Sequence, residues 1–144
     1  METIRKMRES DRAAVIEMMR GFYASPAVST NGSAEIFEAD INACLDSSPF
    51  LTGYVFEGES GPLGYAMLAH SFSTEFGRPC VWIEDLFIKE PYRGQGIATR
   101  FFALIEREYA GSLFRLEVEE DNERALRVYY KTGYTPLPYL ELKK

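Results

Sequence analysis

The chain has 144 residues, of which 46% are hydrophobic and 14% aromatic, so we expect one folded domain spanning residues 1–144. Its formal charge of −6 argues against a nucleic-acid partner, which usually selects a basic patch, and is compatible with a cationic substrate. His70, Cys44 and Cys80 give neither a metal-binding pattern nor a Ser-His-Asp triad, and the lack of a signal peptide or a long apolar run predicts a cytoplasmic protein that binds no metal and no membrane.

The first half of the chain predicts one strand, two helices and a hairpin. Ser10 and Ser33 are typical helix N-caps. Apolar residues follow each of them at helical spacing, and Ser25-Pro26 stops the first helix. A turn over 58–62 joins two strand-like segments. The predicted elements are a strand over 3–7, helices over 10–22 and 33–45, and strands over 51–57 and 63–72.

The second half alternates strands with helices. The apolar stripe of the longer helix contains Ile97, Phe101, Leu104 and Ile105. The predicted elements are a central strand over 81–88, a helix over about 94–109, a strand over 113–118, a helix opened by Asn122, and a last extended piece reaching Leu142. Antiparallel hairpins followed by interleaved helices and strands predict an α/β (α+β) protein, with a mixed sheet covered by helices.

The segment 84–99 is the most informative part of the sequence. An apolar strand ends at Ile88, a turn with Pro91 follows, and glycines at 94 and 96 open directly into a helix. Glycine lets the backbone approach an anion closely, and the free N–H groups of a first helical turn attract negative charge. No Lys follows Gly96 as a Walker A loop requires, and the third glycine of a Rossmann fingerprint is off-pattern. The segment therefore predicts a different kind of phosphate site.

Two motifs carry a family resemblance. Arg93-x-x-Gly96-x-Ala98 resembles the acetyl-CoA pyrophosphate loop of the GNAT superfamily of N-acetyltransferases, and the segment from Asn122 to Tyr134 resembles its closing helix. The resemblance implies the GNAT fold, in which the parallel strands 81–88 and 113–118 splay apart to admit acetyl-CoA. It assigns acetyl-CoA binding to Leu86, Phe87, Ile88, Arg93, Gly94, Gln95, Gly96, Ile97, Ala98, Thr99, Asn122 and Ala125.

Acetyl transfer to an amine requires a proton acceptor and a proton donor, because a free primary amine has a pKa near 10.4, like that of Lys, and is almost wholly charged at neutral pH. By resemblance, Tyr129 is the acid that protonates the departing thiolate, whereas Tyr130 is expected to serve packing or substrate contact. Glu84 is predicted to be catalytic, as substrate ligand or base relay, and Asp85 to bind substrate. Strand alternation is expected to place Glu84 and Asp85 on opposite faces. The acidic run 117–121 is a weaker candidate for attracting a cation.

A turn sequence narrows the resemblance. Ser73-Thr74 with Gly77-Arg78-Pro79, followed by Glu84-Asp85 in the strand, resembles the diamine (spermidine/spermine-type) and thialysine acetyltransferase branch. This predicts transfer of an acetyl group to a small cationic amine such as a polyamine, by direct attack in a ternary complex, since neither motif contains a cysteine. The alternatives are an amino acid, aminoglycoside or protein N-terminus as acceptor, or a non-catalytic acyl-CoA sensor. GNAT domains of this size often dimerise, so a homodimer is also expected.

Overall fold

A computed structural model describes residues 2–144 and contains one five-stranded sheet. Its strands lie in the order β1-β2-β3-β4-β5, and every neighbouring pair is antiparallel except the parallel pair β4–β5. The strands are β1 (Thr3–Lys6), β2 (Leu51–Gly58), β3 (Gly61–Ser73), β4 (Arg78–Ile88) and β5 (Leu113–Leu116). The predicted mixed sheet is therefore confirmed, with the antiparallel hairpins first and the parallel pair last.

Four α-helices cover the two faces of the sheet: α1 (Arg12–Tyr23), α2 (Ala34–Leu45), α3 (Ile97–Glu108) and α4 (Glu123–Lys131). The α1 and α2 helices pack on the face that carries Val55, Tyr65 and Met67. The α3 helix packs on the opposite face through its predicted apolar stripe, where Phe101 and Ile105 are fully buried. Part of α4 and the residues after it pack on this same α3 face. No helix among residues 2–144 is long and apolar enough to cross a membrane.

The helix caps agree with the sequence at two of three predicted positions. The Ser33 hydroxyl accepts the Ile36 N–H at 3.2 Å, and the Asn122 side chain caps α4. Ser10 does not cap α1, because it lies in a short 3₁₀ helix, Glu9–Asp11, that precedes the α-helix. The carboxylate of Asp11 caps that turn instead, accepting the Arg8 N–H at 2.8 Å.

The start of α3 and the last segment of the chain also differ from the prediction. The α3 helix begins at Ile97 rather than Gly94, because Gly94 and Gly96 adopt left-handed φ angles of 76° and 80° that no α-helix contains. The extended piece that the sequence predicts up to Leu142 forms no strand, since residues 135–142 have no ladder partner. Both Pro136 and Pro138 lack the N–H that a ladder requires, and the leucines at 140 and 142 remain 86% and 83% exposed.

The β4–β5 ladder ends early, and this opens the sheet. The parallel pairing runs from Cys80 opposite Leu113 to Ile83 opposite Leu116 and goes no further. The β5 strand accordingly stops at Leu116 instead of the predicted residue 118. From Asp85 to Ile88, β4 is paired only with β3, so its other edge is free. The predicted splay of the two parallel strands is therefore confirmed.

Candidate active site

A cleft of about 850 Å³ occupies the opening between β4 and β5. Its walls come from the end of α1, the free edge of β4, the glycine turn with the first turn of α3, and the chain from β5 into α4. The predicted site residues that line it are Glu84, Leu86, Phe87, Ile88, Arg93, Gly94, Gly96, Ile97, Ala98, Thr99, Asn122, Ala125 and Tyr129. Asp85 and Gln95 were also predicted for the site but lie behind its walls.

The glycine turn is held in shape by its own side chains. The Arg93 Nε donates to the Ile88 carbonyl oxygen at 2.6 Å, and its guanidinium lies 5.6 Å from the centre of the Phe87 ring. The Gln95 amide donates to the Pro91 carbonyl oxygen at 3.3 Å, which braces the turn from outside the cleft. Gly96 then ends the turn as the N-cap of α3. The first N–H groups of α3 have no partner within the helix and are suited to an anion.

Three cationic side chains of α4 line the cleft. Arg124, Arg127 and Lys131 are spaced three and four residues apart, which places them on one helix face. A terminal nitrogen of Arg124 lies 3.8 Å from the position that a Cβ on Gly94 would occupy. Sequence reasoning missed these residues, although their helical spacing was a readable signal. The glycine turn thus faces a basic helix, an arrangement suited to phosphate groups.

A β-bulge places Glu84 in the cleft. Met67 pairs with Asp85 and Leu68 pairs with Ile83, so Glu84 has no partner across the ladder. An extra residue reverses the alternation of the side chains beyond it. Ile83 packs on the α3 face, whereas Asp85 contacts Tyr65 on the α1 and α2 face. Glu84 and Asp85 do differ in environment, as predicted, but simple alternation is not the reason.

Asp85 is buried and fully engaged by two tyrosines. Asp85 is only 4% exposed. The Tyr23 hydroxyl donates to its Oδ1 at 2.9 Å, and the Tyr65 hydroxyl donates to its Oδ2 at 2.6 Å. Burial raises the pKa of the Asp85 carboxyl, and the two hydrogen bonds oppose that rise. Asp85 has no ion pair among residues 2–144. It therefore does not line the cleft but supports the site from below.

Further carboxylates gather around Glu84. Partial burial, followed by the charges of Asp85 and Glu141, raises the pKa of Glu84 although its side chain remains accessible in the cleft. Burial and the charges of Asp85 and Glu84 raise the pKa of Asp40, on α2, to about 6. A hydrogen bond with Glu141 raises the pKa of Glu117 to about 7. Asp40 was missed because nothing in the local sequence places α2 beside β4.

Tyr129 lies in the wall of the cleft, on the inner face of α4. Its ring centre lies 6.0 Å from that of Phe102 and 6.0 Å from that of Tyr134. Burial raises the pKa of its hydroxyl, so the group stays protonated at neutral pH. The neighbouring Tyr130 is 53% exposed and is not among the residues that line the cleft. The geometry thus supplies one shielded phenol beside the opening between the strands.

Comparison with known proteins identifies this arrangement. The family model described as the acetyltransferase (GNAT) family matches residues 14–134. The chain belongs to the GNAT family. It is therefore an acetyltransferase, and the family resemblance of the two sequence motifs is confirmed.

Curated relatives of this GNAT chain acetylate amines, as their names state. It is 34% identical over 143 residues to a thialysine N-epsilon-acetyltransferase of Mus musculus, with 90% of this chain and 82% of that protein covered. It is 26% identical over 137 residues to a spermine/spermidine N(1)-acetyltransferase of Bacillus subtilis (strain 168), with 91% and 86% covered. The predicted resemblance to the diamine and thialysine acetyltransferases is thus confirmed, because relatives with both names match the chain.

Solved structures show the same fold at low sequence identity. Aminoglycoside N-acetyltransferase AAC(6')-Iy in complex with CoA gives a TM-score of 0.83 at 15% identity, over 100% of this chain and 94% of that one. A predicted acetyltransferase with acetyl-CoA from Clostridium acetobutylicum gives a TM-score of 0.75 at 19% identity, over 99% and 96%. At these identities the likeness concerns the fold.

Proposed function

We propose that this protein transfers the acetyl group of acetyl-CoA to the primary amine of a small cationic acceptor, by direct attack in a ternary complex. The observation that carries the proposal is the cleft between β4 and β5, which has Arg124 beside the glycine turn and Glu117 beside Glu84. Such polarity suits a substrate with phosphates at one end and an ammonium acceptor at the other. The names of the thialysine and spermine/spermidine relatives support the same acceptor class.

The cofactor end of the cleft fits a CoA chain in three ways. The edge of Leu86–Ile88 that β5 leaves free can pair with the amides of a pantetheine arm in the manner of an added strand, although the Ile88 carbonyl oxygen already accepts from Arg93. Gly94 and Gly96 leave no Cβ in the way of a pyrophosphate that approaches the backbone N–H groups of 94–99. Asn122 and Ala125 line the opposite wall, so we assign them contacts with the cofactor arm.

The acceptor end supplies charge and a proton acceptor. Glu84 projects from the bulge into the cleft, where its carboxylate attracts an ammonium group and acts as its ligand or as a base relay. Its raised pKa brings it closer to neutrality, the range in which a general base is effective. Asp85 adds negative charge from beneath the same spot.

Tyr129 is the best-placed acid for the departing thiolate. It is shielded, protonated and in the cleft wall, and donation of its proton would neutralise the leaving CoA thiolate. A covalent acetyl-enzyme is disfavoured because neither cysteine lines the cleft. Burial raises the pKa of Cys44 to about 12 and also raises that of Cys80, so both thiols are poor nucleophiles at neutral pH. We therefore propose that the amine attacks acetyl-CoA directly.

The test is release of CoA thiol from acetyl-CoA with a panel of acceptors: spermidine, putrescine, lysine, thialysine, an aminoglycoside and short peptides. We expect turnover of one class of small cationic amines, and a loss of about 100-fold in kcat with Tyr129→Phe, the usual scale for removing a general acid. Tyr130→Phe is the matched control, because it removes the neighbouring hydroxyl outside the cleft. Acetyl-CoA binding without turnover of any amine would refute the proposal and favour a sensor.

A further inference from the structure

A second cavity, of about 250 Å³, lies beside the turn that joins β3 to β4. Its walls include Trp82 of β4 and Arg115 of β5, which are partners in the parallel ladder. The Arg115 guanidinium lies over the Trp82 ring, 4.4 Å from its centre. Hydroxyl groups of Ser71, Ser73 and Thr74 belong to the same lining, so the cavity offers a cation and several polar groups together.

Arg115 is a half-buried cation without an anionic partner. Its guanidinium forms no ion pair within residues 2–144. Glu75, which also lines the cavity, accepts a hydrogen bond from the Tyr139 hydroxyl instead. A guanidinium over an aromatic ring still has N–H donors in its own plane, and their fork matches the two oxygens of a carboxylate. The cavity is therefore suited to a carboxylate.

Trp82 and Arg115 project from the side of the sheet on which α1 and α2 lie. Their strand neighbours Ile83 and Leu116 pack in the core under α3. Side chains alternate along a strand, so Trp82 and Arg115 point to the opposite side. Both remain partly exposed, because α1 and α2 pack there on residues of β2 and β3. A ligand can thus reach the guanidinium from solvent.

Glu84 lies on the same side of the sheet, two residues beyond Trp82. Burial and the charge of Asp85, followed by that of Glu84, raise the pKa of Asp40 on α2, which shows that Glu84 lies toward this helix. Two residues along a strand span roughly 6–7 Å. An extended lysine side chain can bridge such a gap between its amine and its carboxylate, whereas glycine cannot.

We propose that the acceptor is an amino acid with a side-chain amine, whose carboxylate binds Arg115 over Trp82 while its amine lies at Glu84. This inference rests on the proposed acetyl transfer and narrows its acceptor class. Lysine and its analogues have a net positive charge, so they remain small cationic acceptors. The held carboxylate directs the side-chain amine, and not the α-amine, toward the acetyl group.

The charge of the cavity separates this acceptor from a polyamine. Burial raises the pKa of Cys80 in the cavity wall, whereas the Ser71 hydroxyl and the charges of Arg115 and Arg78 oppose that rise. Two arginines thus make the surroundings of the cavity favourable to an anion. A polyamine that extended past Glu84 would bring a second ammonium group toward Arg115, where like charges repel.

The test compares acceptors that differ only at the carboxylate. Lysine, lysinamide and cadaverine share the side-chain amine, but only lysine has a carboxylate. We expect kcat/KM for lysine to exceed that for lysinamide about 10- to 100-fold, the scale of hydrogen bonds to a charged group. Cadaverine should be a poorer acceptor than lysine for the same reason. The product from lysine should be Nε-acetyl-lysine, identified by NMR.

Variants of two arginines assign that preference to the cavity. Arg115→Gln should reduce the ratio of kcat/KM for lysine to that for lysinamide to near one, and Arg115→Lys should keep part of it, because an ammonium lacks the planar fork. Arg78→Gln is the matched control: it removes the same charge from an exposed residue outside the cavity lining, and the ratio should persist.

The outcomes separate this inference from the proposed function. Turnover of amines with a lysine to lysinamide ratio near one in the wild type would overturn the carboxylate site alone. So would a ratio that survives Arg115→Gln, or one that Arg78→Gln abolishes to the same extent. Absence of acetyl-CoA-dependent turnover with every amine would overturn the proposed function and the carboxylate site with it.

Discussion

Substitution of Gly96 by alanine tests the central geometric claim, that the turn between β4 and α3 holds a phosphate. Gly96 has a φ of 80°, where an L-residue is strained, and a Cβ there would lie 3.1 Å from Arg100 Nη1. That nitrogen ends a flexible side chain and can shift by a few tenths of an ångström. The main cost is therefore the left-handed backbone, about 1–2 kcal/mol, offset by about 0.4–1 kcal/mol because alanine restricts the unfolded chain.

The two effects predict that Gly96→Ala lowers the free energy of unfolding by about 1 kcal/mol, and the melting temperature by roughly 2–4 °C for a chain of this size. The effect on binding should be larger. A methyl group at this position pushes the anion away from the N–H groups of the first helical turn, and a hydrogen bond to a charged group is worth about 1.5–3 kcal/mol. We expect the Kd for acetyl-CoA to rise about 10- to 100-fold, measured by calorimetric titration.

Gly111 provides the matched control. Its φ of 86° imposes the same backbone strain, but no atom lies within 4 Å of its Cβ position and it does not line the cleft. Gly111→Ala should lose similar stability and bind acetyl-CoA as the wild type does. An unchanged Kd in Gly96→Ala would refute the phosphate assignment of the turn. A Kd that rises equally in both variants would also refute it, since the cause would then be general destabilisation.

Three other predictions concern separate parts of the site. Tyr129→Phe should leave the Kd for acetyl-CoA unchanged while kcat falls, which separates the acid from a packing residue in a titration run beside the kinetic assay. Arg127→Gln should weaken acetyl-CoA binding several-fold at low salt and much less at about 0.5 M NaCl, because salt screens accessible charges. The pKa of Asp40 is about 6 in the folded protein, above the value near 3.9 expected in the unfolded chain. Ionised Asp40 therefore lowers the free energy of unfolding above pH 6, and this destabilisation disappears below about pH 4. Asp40→Asn should therefore raise the free energy of unfolding at pH 8 by about 1–2 kcal/mol, after allowance for solvent screening, with no gain at pH 4 by urea denaturation.

The shape of the cleft around the glycine turn and α4 could be predicted from sequence, whereas much of the surroundings of Glu84 could not. The turn around Gly96 and the helix opened by Asn122 are contiguous segments whose backbone shape follows from local residues. Asp40 and Tyr23 meet Asp85 only because α1 and α2 fold over β4. Local sequence patterns contain no information on such long-range contacts. The alternation of apolar and polar residues in the strand likewise does not predict the bulge at Glu84.

That bulge connects the two halves of the site. Without the extra residue, Asp85 would follow Ile83 onto the face covered by α3, away from the hydroxyls of Tyr23 and Tyr65. A carboxylate buried there would lose both of its donors, and an unpaired buried charge costs several kcal/mol. The bulge also occurs at the residue where β4 loses β5 as a neighbour, so Glu84 faces the opening between the strands. One inserted residue therefore aims one carboxylate into the cleft and secures the other beneath it, and a variant that lacks Glu84 altogether should lose both arrangements at once.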